Sequence, residues 1–186
     1  LTLCASVASR AEQSYDLLTT TDTIKQTNFL KLTVDDGLSS NTVTAIVQDR
    51  KGFIWIGTDS GLNRYDGTRV TQFVNDKQNE SSLFNNQINS MVKGVAGQLW
   101  IAVNGALVRY NAVDDSFITY RADKNSPRSL LSNELNTLYV DSRDRLWIGS
   151  KAGVSIYQPE TDDFLHYQHE VNEPERSIAP GGVISI

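Results

Sequence analysis

The chain has 186 residues, of which 39% are hydrophobic and 21% charged, as in an ordinary globular protein. A net charge of −5 and a pI of about 5.0 argue against nucleic acid or an anionic membrane surface as a partner. No stretch approaches the roughly 20 apolar residues of a membrane-spanning helix. The single cysteine, Cys4, excludes an internal disulfide and a cysteine-based metal cluster.

The N-terminal segment predicts export. Residues 1–11 are apolar and then small, like the end of a secretory signal peptide, and residues 9–11 fit the small-x-small cleavage rule. A disordered tail is the alternative. Acylation of Cys4 would define a lipoprotein, but Leu3 is larger than the residue expected before it. Residues 12–28 are polar and rich in threonine, and we interpret them as a tether.

The rest of the sequence repeats itself. Each unit contains a tryptophan that begins a phrase such as Trp-Ile-Gly-Thr, with a tyrosine ten residues later and an asparagine fourteen residues earlier. The tryptophans are 45 and 47 residues apart, and a fixed period of this kind marks a solenoid, a propeller or an array. The repeated positions are Asn41, Trp55 and Tyr65, then Asn86, Trp100 and Tyr110, then Asn133, Trp147 and Tyr157.

Each unit carries four short apolar runs separated by turn residues, which predicts an antiparallel meander. In the first unit the runs are Val43–Val47, Phe53–Ile56, Leu62–Tyr65 and Val70–Val74. Several runs are apolar at consecutive positions, so both faces of the strands are expected to be covered. Four strands in a period of about 45 residues are typical of a propeller blade.

We therefore predict an all-β fold, a β-propeller arc of three four-stranded antiparallel blades plus the first strand of a fourth. Inner strands are expected near residues 42–48, 87–93 and 134–140. The predicted blades occupy residues 37–81, 82–128 and 129–176, and the fourth begins at 177–186.

Propellers usually close with four to eight blades. The sequence therefore favours the beginning of a longer protein, with association of identical chains as the alternative. Residues 29–36 begin like the outer strands of later units, and we expect them to form the outer strand of the last blade, which removes a free sheet edge on closure.

The residues that carry chemistry do not form a recognisable catalytic set. His166 and His169 stand three apart on a predicted strand and would point to opposite faces, although Glu170 and Glu173 lie nearby. The chain has no nucleophile elbow, phosphate loop or calcium-loop spacing. We predict no catalytic residues, no metal and no cofactor.

The repeated asparagine, tryptophan and tyrosine residues are interpreted as architecture, with the aromatic rings packed between blades. Function is expected where the repeats differ, in the loops between second and third strands, which share one end of a meander with the loops between blades. The candidate ligand-binding residues in these loops are Asp59, Ser60, Asn104, Ser150 and Lys151.

Two long segments carry a family resemblance. Residues 37–43 and 49–67, with Gly-Leu-Ser-Ser-Asn-Thr-Val and then Asp-Arg-Lys-Gly-Phe-Ile-Trp-Ile-Gly-Thr-Asp-Ser-Gly-Leu, closely resemble the two-component regulator propeller repeat. The third unit matches well over 141–157, whereas the second has Ala102 and Ala106 where the others have glycine. The resemblance covers roughly residues 29–186.

This resemblance implies the periplasmic sensory region of a bacterial inner-membrane receptor. Such propellers precede a β-sandwich, a membrane span and a histidine kinase or diguanylate cyclase module. The implied partners are an unknown small molecule, with carbohydrate as one class, and the remaining blades and signalling modules of the same polypeptide. A dimer of the full-length receptor is left open. The alternatives are a propeller enzyme of the streptogramin-lyase type and a protein-interaction scaffold.

Overall fold

The computed structural model describes residues 31–94, 97–169, 182, 183 and 185, and these contain twelve β-strands. The first sheet comprises β1 (Val43–Gln48), β2 (Ile54–Thr58), β3 (Leu62–Tyr65) and β4 (Val70–Phe73). The second comprises β5 (Ile88–Lys93), β6 (Leu99–Val103), β7 (Ala106–Asn111) and β8 (Ser116–Tyr120). The third comprises β9 (Leu135–Val140), β10 (Leu146–Ser150), β11 (Gly153–Gln158) and β12 (Asp163–Tyr167).

Each sheet is a meander in which neighbours in sequence are antiparallel neighbours in space, and none of the three sheets closes on itself. This confirms the predicted all-β class, the three four-stranded blades and the positions of their inner strands. The described ranges contain no α-helix; a 3₁₀ turn covers Val34–Asp36. None of their helices is long and apolar enough to cross a membrane.

The inner strands β1, β5 and β9 share a bulge near their start. Pairing passes from Val43 to Ala45 in β1 and from Ile88 to Ser90 in β5, and β9 skips one residue in the same place. A bulge leaves one residue outside the regular alternation of faces and re-aims its side chain. The bulged residues are Thr44, Asn89 and Asn136.

The blades pack face to face through two apolar cores. The first contains Trp55 and Leu62 from blade 1 against Ile88, Met91 and other residues of blade 2. The second contains Trp100 and Leu107 from blade 2 against residues of blade 3. The inner strands lie side by side, β1 against β5 and β5 against β9. Because both faces of blade 2 are covered, its strands β6 and β7 are apolar at consecutive positions, as expected of sheets buried on both sides.

Two predicted segments flank the three blades. Within the segment predicted as an outer strand at 29–36, Val34–Asp36 form a 3₁₀ turn, and Thr33 N and Thr33 Oγ1 each donate to Asp36 Oδ2 at 2.9 Å. The predicted leader at 1–11, the tether at 12–28 and the first two residues of that strand lie outside the described residues. So does most of 177–186, although Val183 is described.

Candidate functional site

The repeated asparagines hold the chain as it enters each blade. The Oδ1 atom of Asn86 accepts a hydrogen bond from the backbone N of Asn75 at 2.6 Å, and Asn133 accepts one from Ala122 at 2.8 Å. Asn41 accepts one from Val34 at 3.0 Å. In blades 2 and 3 the bond spans eleven residues and ties the start of one blade to the end of the preceding outer strand, so these asparagines connect blades.

The repeated tryptophans lie on the face that each blade presents to the next. Trp55 is 0% and Trp100 1% exposed. The Trp55 indole donates to Asp49 Oδ2 at 2.9 Å, and Trp147 donates to Asp141 Oδ2 at the same distance. In blade 2 the corresponding residue is Gly94, and a Cβ there would lie 2.7 Å from the Trp100 ring, so the glycine makes room for the indole.

An arginine, a tyrosine and an aspartate join blade 1 to blade 2. Arg64 Nη1 donates to the Tyr110 hydroxyl and to Asp115 Oδ1, both at 2.8 Å, and the Tyr110 hydroxyl donates to the same carboxylate. The guanidinium lies 5.5 Å above the Trp55 ring. The Arg64 hydrogen bond, followed by that of Tyr110, holds the pKa of Asp115 below its usual range. Burial and the bond to Asp115 raise the pKa of Tyr110.

The same arrangement joins blade 2 to blade 3. Arg109 Nη1 donates to the Tyr157 hydroxyl at 2.8 Å and lies 3.6 Å from Asp162. Tyr157 and Tyr120 donate to Asp162 at 2.6 and 2.7 Å. Burial opposes the charge of Asp162, but these two hydroxyls and Arg109 hold its pKa below the usual value. Both aspartates have positive φ, 56° for Asp115 and 52° for Asp162, so the two turns match in backbone as well.

Sequence analysis missed these Arg–Tyr–Asp clusters. Their signal is split between repeats: an arginine, Arg64 or Arg109, precedes the repeated tyrosine in blades 1 and 2, and an aspartate, Asp115 or Asp162, follows it by five residues in blades 2 and 3. Blade 1 lacks this aspartate because its turn is two residues shorter: four residues lie between Tyr65 and its partner Val70, whereas six lie between Tyr110 and Phe117. The Tyr65 hydroxyl donates instead to the Gly67 carbonyl at 2.7 Å.

The predicted ligand-binding residues lie at one end of their sheets, in the turns between second and third strands, except Ser150, which is the last residue of β10. Each turn is hydrogen-bonded to the residue just before the inner strand: Asp59 N to Thr42 O at 3.4 Å, Asn104 N to Gln87 O at 3.0 Å and Lys151 N to Glu134 O at 3.4 Å. The loops between blades enter the inner strands here, so the structure brings these loop sets to the same end of each blade.

The five residues differ in their solvent exposure and in whether their polar atoms are already hydrogen-bonded. Ser150 is 2% exposed and its hydroxyl donates to the Gly153 carbonyl at 3.0 Å, so it serves the turn. Asp59 and Ser60 are exposed and hydrogen-bonded to each other at 2.9 Å. Hydrogen bonds from Ser40, and then Ser60, lower the pKa of Asp59. Asn104 is exposed and donates to the Gln87 side chain at 3.3 Å.

Lys151 opens onto a cleft at this end of the inner strands. The cleft has a volume of about 560 Å³. Its walls are formed by Asn89, Leu135, Asn136, Lys151 and Gly182. Lys151 is 72% exposed and pairs with Glu134 at 2.6 Å, and this hydrogen bond raises the pKa of the lysine. Two bulge asparagines thus share the cleft with an exposed ammonium group, a set of hydrogen-bond donors that suits a polar ligand.

A second cleft, of about 480 Å³, lies at the opposite end, between blades 1 and 2. Its polar lining includes Asp49, Arg50, Lys51, Gln98 and Asn111. The Asp49 carboxylate already accepts hydrogen bonds from the Trp55 indole and from the backbone N atoms of Lys51 and Phe53.

The two histidines lie on or beside the outer strand of blade 3. His166 Nδ1 lies 3.1 Å from the Ser155 hydroxyl, and His169 is exposed. Glu170 and Glu173 lie outside the described residues. Within the described ranges, no three histidine, cysteine, aspartate or glutamate side chains are grouped in a way that would hold a metal ion.

Stacked antiparallel four-stranded sheets, joined by tryptophan faces and Arg–Tyr–Asp clusters, define this molecule as an arc of β-propeller blades. Two segments, residues 37–60 and 129–152, match the family model of the two component regulator propeller. These two matches confirm the resemblance to the two-component regulator propeller repeat that was predicted from the sequence.

Known proteins extend this comparison. Over 55 residues, 30% of this chain, the sequence is 38% identical to histidine kinase P4 of Formosa agariphila, and the match spans 4% of that protein. The crystal structure of an extracellular domain from B. thetaiotaomicron, assigned to the hybrid two component system BT3049, is similar with a TM-score of 0.75 and 28% identity. The similarity covers 84% of this chain and 22% of that one.

A third similar protein is the virginiamycin B lyase of Staphylococcus aureus. The TM-score is 0.52 and the identity 13%, over 69% of this chain and 42% of the lyase. This likeness shows the propeller fold alone. The present chain spans less than half of each of these three proteins.

Proposed function

We propose that this chain is part of the periplasmic, ligand-sensing propeller of an inner-membrane receptor of the hybrid two-component class. The similarity to the extracellular domain from B. thetaiotaomicron carries the proposal, because it extends over 84% of the chain at a TM-score of 0.75. The match to a histidine kinase and the two regulator propeller repeats support the same class. In this proposal the chain binds and transmits, and it does not catalyse a reaction.

The ligand site proposed is the cleft lined by the two bulge asparagines and Lys151. Asparagine amides and a lysine ammonium group place several hydrogen-bond donors beside the apolar Leu135, and this mixed lining suits an oligosaccharide, especially one that carries a carboxylate. The Glu134–Lys151 pair is exposed on both sides, at 65% and 72%, so an incoming carboxylate can replace Glu134 at little cost.

The test is calorimetric titration of the purified chain with neutral and acidic oligosaccharides. Lys151→Ala is expected to weaken binding of an acidic sugar about tenfold, equal to one charged hydrogen bond of ~1.5 kcal/mol. Lys51→Ala is the matched control, because Lys51 is also an exposed turn lysine but lines the opposite cleft. Loss of binding in the control variant alone would place the site at the opposite end.

The non-catalytic part of the proposal has its own test. The same purified chain is incubated with streptogramin B and with the sugars that bind, and products are followed by mass spectrometry. Turnover that disappears on His166→Ala would contradict a purely sensing role and favour the propeller enzyme.

A further inference from the structure

The cleft of about 480 Å³ between blades 1 and 2 is lined by two turns of unequal chemistry. In blade 1 the turn between the first and second strands is Asp-Arg-Lys-Gly, residues 49–52, and it carries two neighbouring cations. The corresponding turn of blade 2, residues 94–97, is Gly-Val-Ala-Gly and has no charged or long side chain. The cations of this cleft therefore come from blade 1, and we call it the Arg50 cleft.

The Arg50 side chain lies across the interface on Gly97 of blade 2. A Cβ at Gly97 would lie 2.5 Å from Arg50 Cδ and 2.8 Å from its Nε, so the arginine rests directly on the glycine. Gly97 also has a φ of 81°, a conformation that residues with a side chain rarely adopt. The contact and the backbone both require glycine at this position, and the contact holds the guanidinium group at the cleft.

The two cations of this turn are exposed and lack a counter-ion. Within the described part of the chain, neither the Arg50 guanidinium nor the Lys51 ammonium group forms an ion pair. The nearby Asp115 is paired with Arg64 at 2.8 Å, and the carboxylate of Asp49 offsets only one of the two positive charges. The Arg50 cleft therefore has an excess of positive charge, although the whole chain has a net charge of −5.

The other walls of the Arg50 cleft add amide groups and apolar surface. Gln98 and Asn111 line it with their side-chain amides. Asn111 Oδ1 accepts a hydrogen bond from Val113 N at 3.2 Å, so its Nδ2 remains as a donor. Ala112 and Ile118 also line the cleft, and Ile118 is 39% exposed. Hydrogen-bond donors and positive charge thus lie beside an apolar surface.

Blade stacking alone does not require this pair of cations. At the interface between blades 2 and 3, the equivalent turn of the first blade is residues 94–97, which contain no cation. The tryptophan, tyrosine and aspartate contacts are nevertheless the same at both interfaces. Arg50 and Lys51 therefore belong to the part of the repeat that varies, where binding residues are expected.

We infer that the Arg50 cleft binds a small molecule that joins a carboxylate or phosphate group to an apolar body. Arg50 receives the anionic group, because its planar guanidinium donates two parallel hydrogen bonds to either group. Lys51 adds a second positive charge, and Ala112 and Ile118 contact the apolar body. The cleft lies at the end of the blades opposite Lys151, so the inference does not rest on the proposed sensing role.

The test is titration of the purified ¹⁵N-labelled chain with benzoate, phenyl phosphate and inorganic phosphate, followed by NMR of the backbone amides. Phenyl phosphate or benzoate should shift the amide signals of Gly97 and Gln98, and the tighter of the two identifies the preferred anionic group. Inorganic phosphate, which has no apolar body, should bind several-fold more weakly than phenyl phosphate.

Arg50→Gln should weaken binding of the tighter probe about tenfold, the usual weight of one charged hydrogen bond. Arg69→Gln is the matched control, because Arg69 is an exposed arginine in the turn between β3 and β4 of the same blade and does not line the cleft. Equal weakening by both substitutions would show a general charge effect and overturn the inference. So would the absence of shifts at Gly97 and Gln98 with all three probes.

Gly97→Ala tests the position of the guanidinium without removing a charge. The new Cβ would displace Arg50, so binding should weaken several-fold. Gly67→Ala is the control, because Gly67 has a φ of 100° but open space around its Cβ position, and it carries the backbone strain alone. Equal affinity in the two alanine variants would contradict the role of the Arg50–Gly97 contact. Lys151→Ala should leave these titrations unchanged, so failure of the proposed sensing role and failure of this inference are distinguishable.

Discussion

The energetic weight of the tryptophan faces is testable by comparing Trp55→Ala with Trp147→Ala. Each indole donates one hydrogen bond of 2.9 Å to an aspartate six residues earlier, so that contribution cancels in the comparison. What differs is packing. Trp55 is fully buried, with its centroid 4.6 Å from Tyr110 and 5.5 Å from Phe73, whereas Trp147 is partly buried with Tyr167 at 6.5 Å.

Truncation of a fully buried tryptophan typically costs about 3–5 kcal/mol. A partly buried ring with one distant aromatic neighbour should cost about 1–2 kcal/mol, most of it from the shared hydrogen bond. The expected difference is therefore ~2–3 kcal/mol, a large part of the 5–15 kcal/mol that stabilises a typical domain.

The assay is urea unfolding followed by far-ultraviolet circular dichroism. With a slope of about 1–3 kcal/mol per molar urea, the Trp55→Ala midpoint should fall roughly 1–2 M further than that of Trp147→Ala. Trp55→Phe, which keeps an aromatic ring, should lie between them. Equal midpoints for the two alanine variants would refute the view that burial between blades, rather than the indole hydrogen bond, gives these residues their role.

Three further predictions follow from single contacts. Gly57→Ala should destabilise by about 1–3 kcal/mol because the new Cβ would lie 2.6 Å from Ile88 Cγ2, whereas Ala102→Gly at the equivalent position of blade 2 should cost under about 1 kcal/mol; chemical denaturation measures both. Asn86→Ala should cost about 1–3 kcal/mol in the same assay by leaving a backbone N–H without its acceptor at 2.6 Å. The pKa of Asp115 is lowered in the folded chain, so its stabilisation is present above its unfolded value near pH ~4 and is lost as pH falls through the lower folded value. Asp115→Asn should therefore flatten the acid side of the stability–pH profile, and an unchanged profile would contradict the ion pair.

The sequence predicted the strands well because each is encoded locally. The phrase around Trp55 carries its own apolar run and its own turns, and the inner strands begin within one residue of the predicted positions. The Arg64–Asp115 contact was not predicted, because its partners are 51 residues apart and are joined by stacking of whole blades. Asp115 lies in a turn, where a carboxylate is usually exposed to solvent, so nothing within its own repeat indicates a partner. Only a comparison of the repeats shows that an aspartate recurs at this position.

The candidate ligand residues, too, were predictable from the sequence only in part. The end of the sheet at which they lie follows from meander topology, and the structure places their turns there. The Ser150 hydroxyl donates to the Gly153 carbonyl within its own turn, and the pattern of residue types does not predict this hydrogen bond. Asn89 and Asn136 escaped prediction because a bulge changes where a side chain points without changing the apolar pattern around it.

The inner-strand bulge has an evolutionary consequence. Since Ile88, Ser90 and Met91 alternate between the two faces as if Asn89 were absent, the bulged position belongs to neither packing surface. Substitutions there leave the core of the blade untouched. Neighbouring blades can therefore differ at this position, as threonine at 44 and asparagine at 89 and 136 do, without a change in how their strands pack.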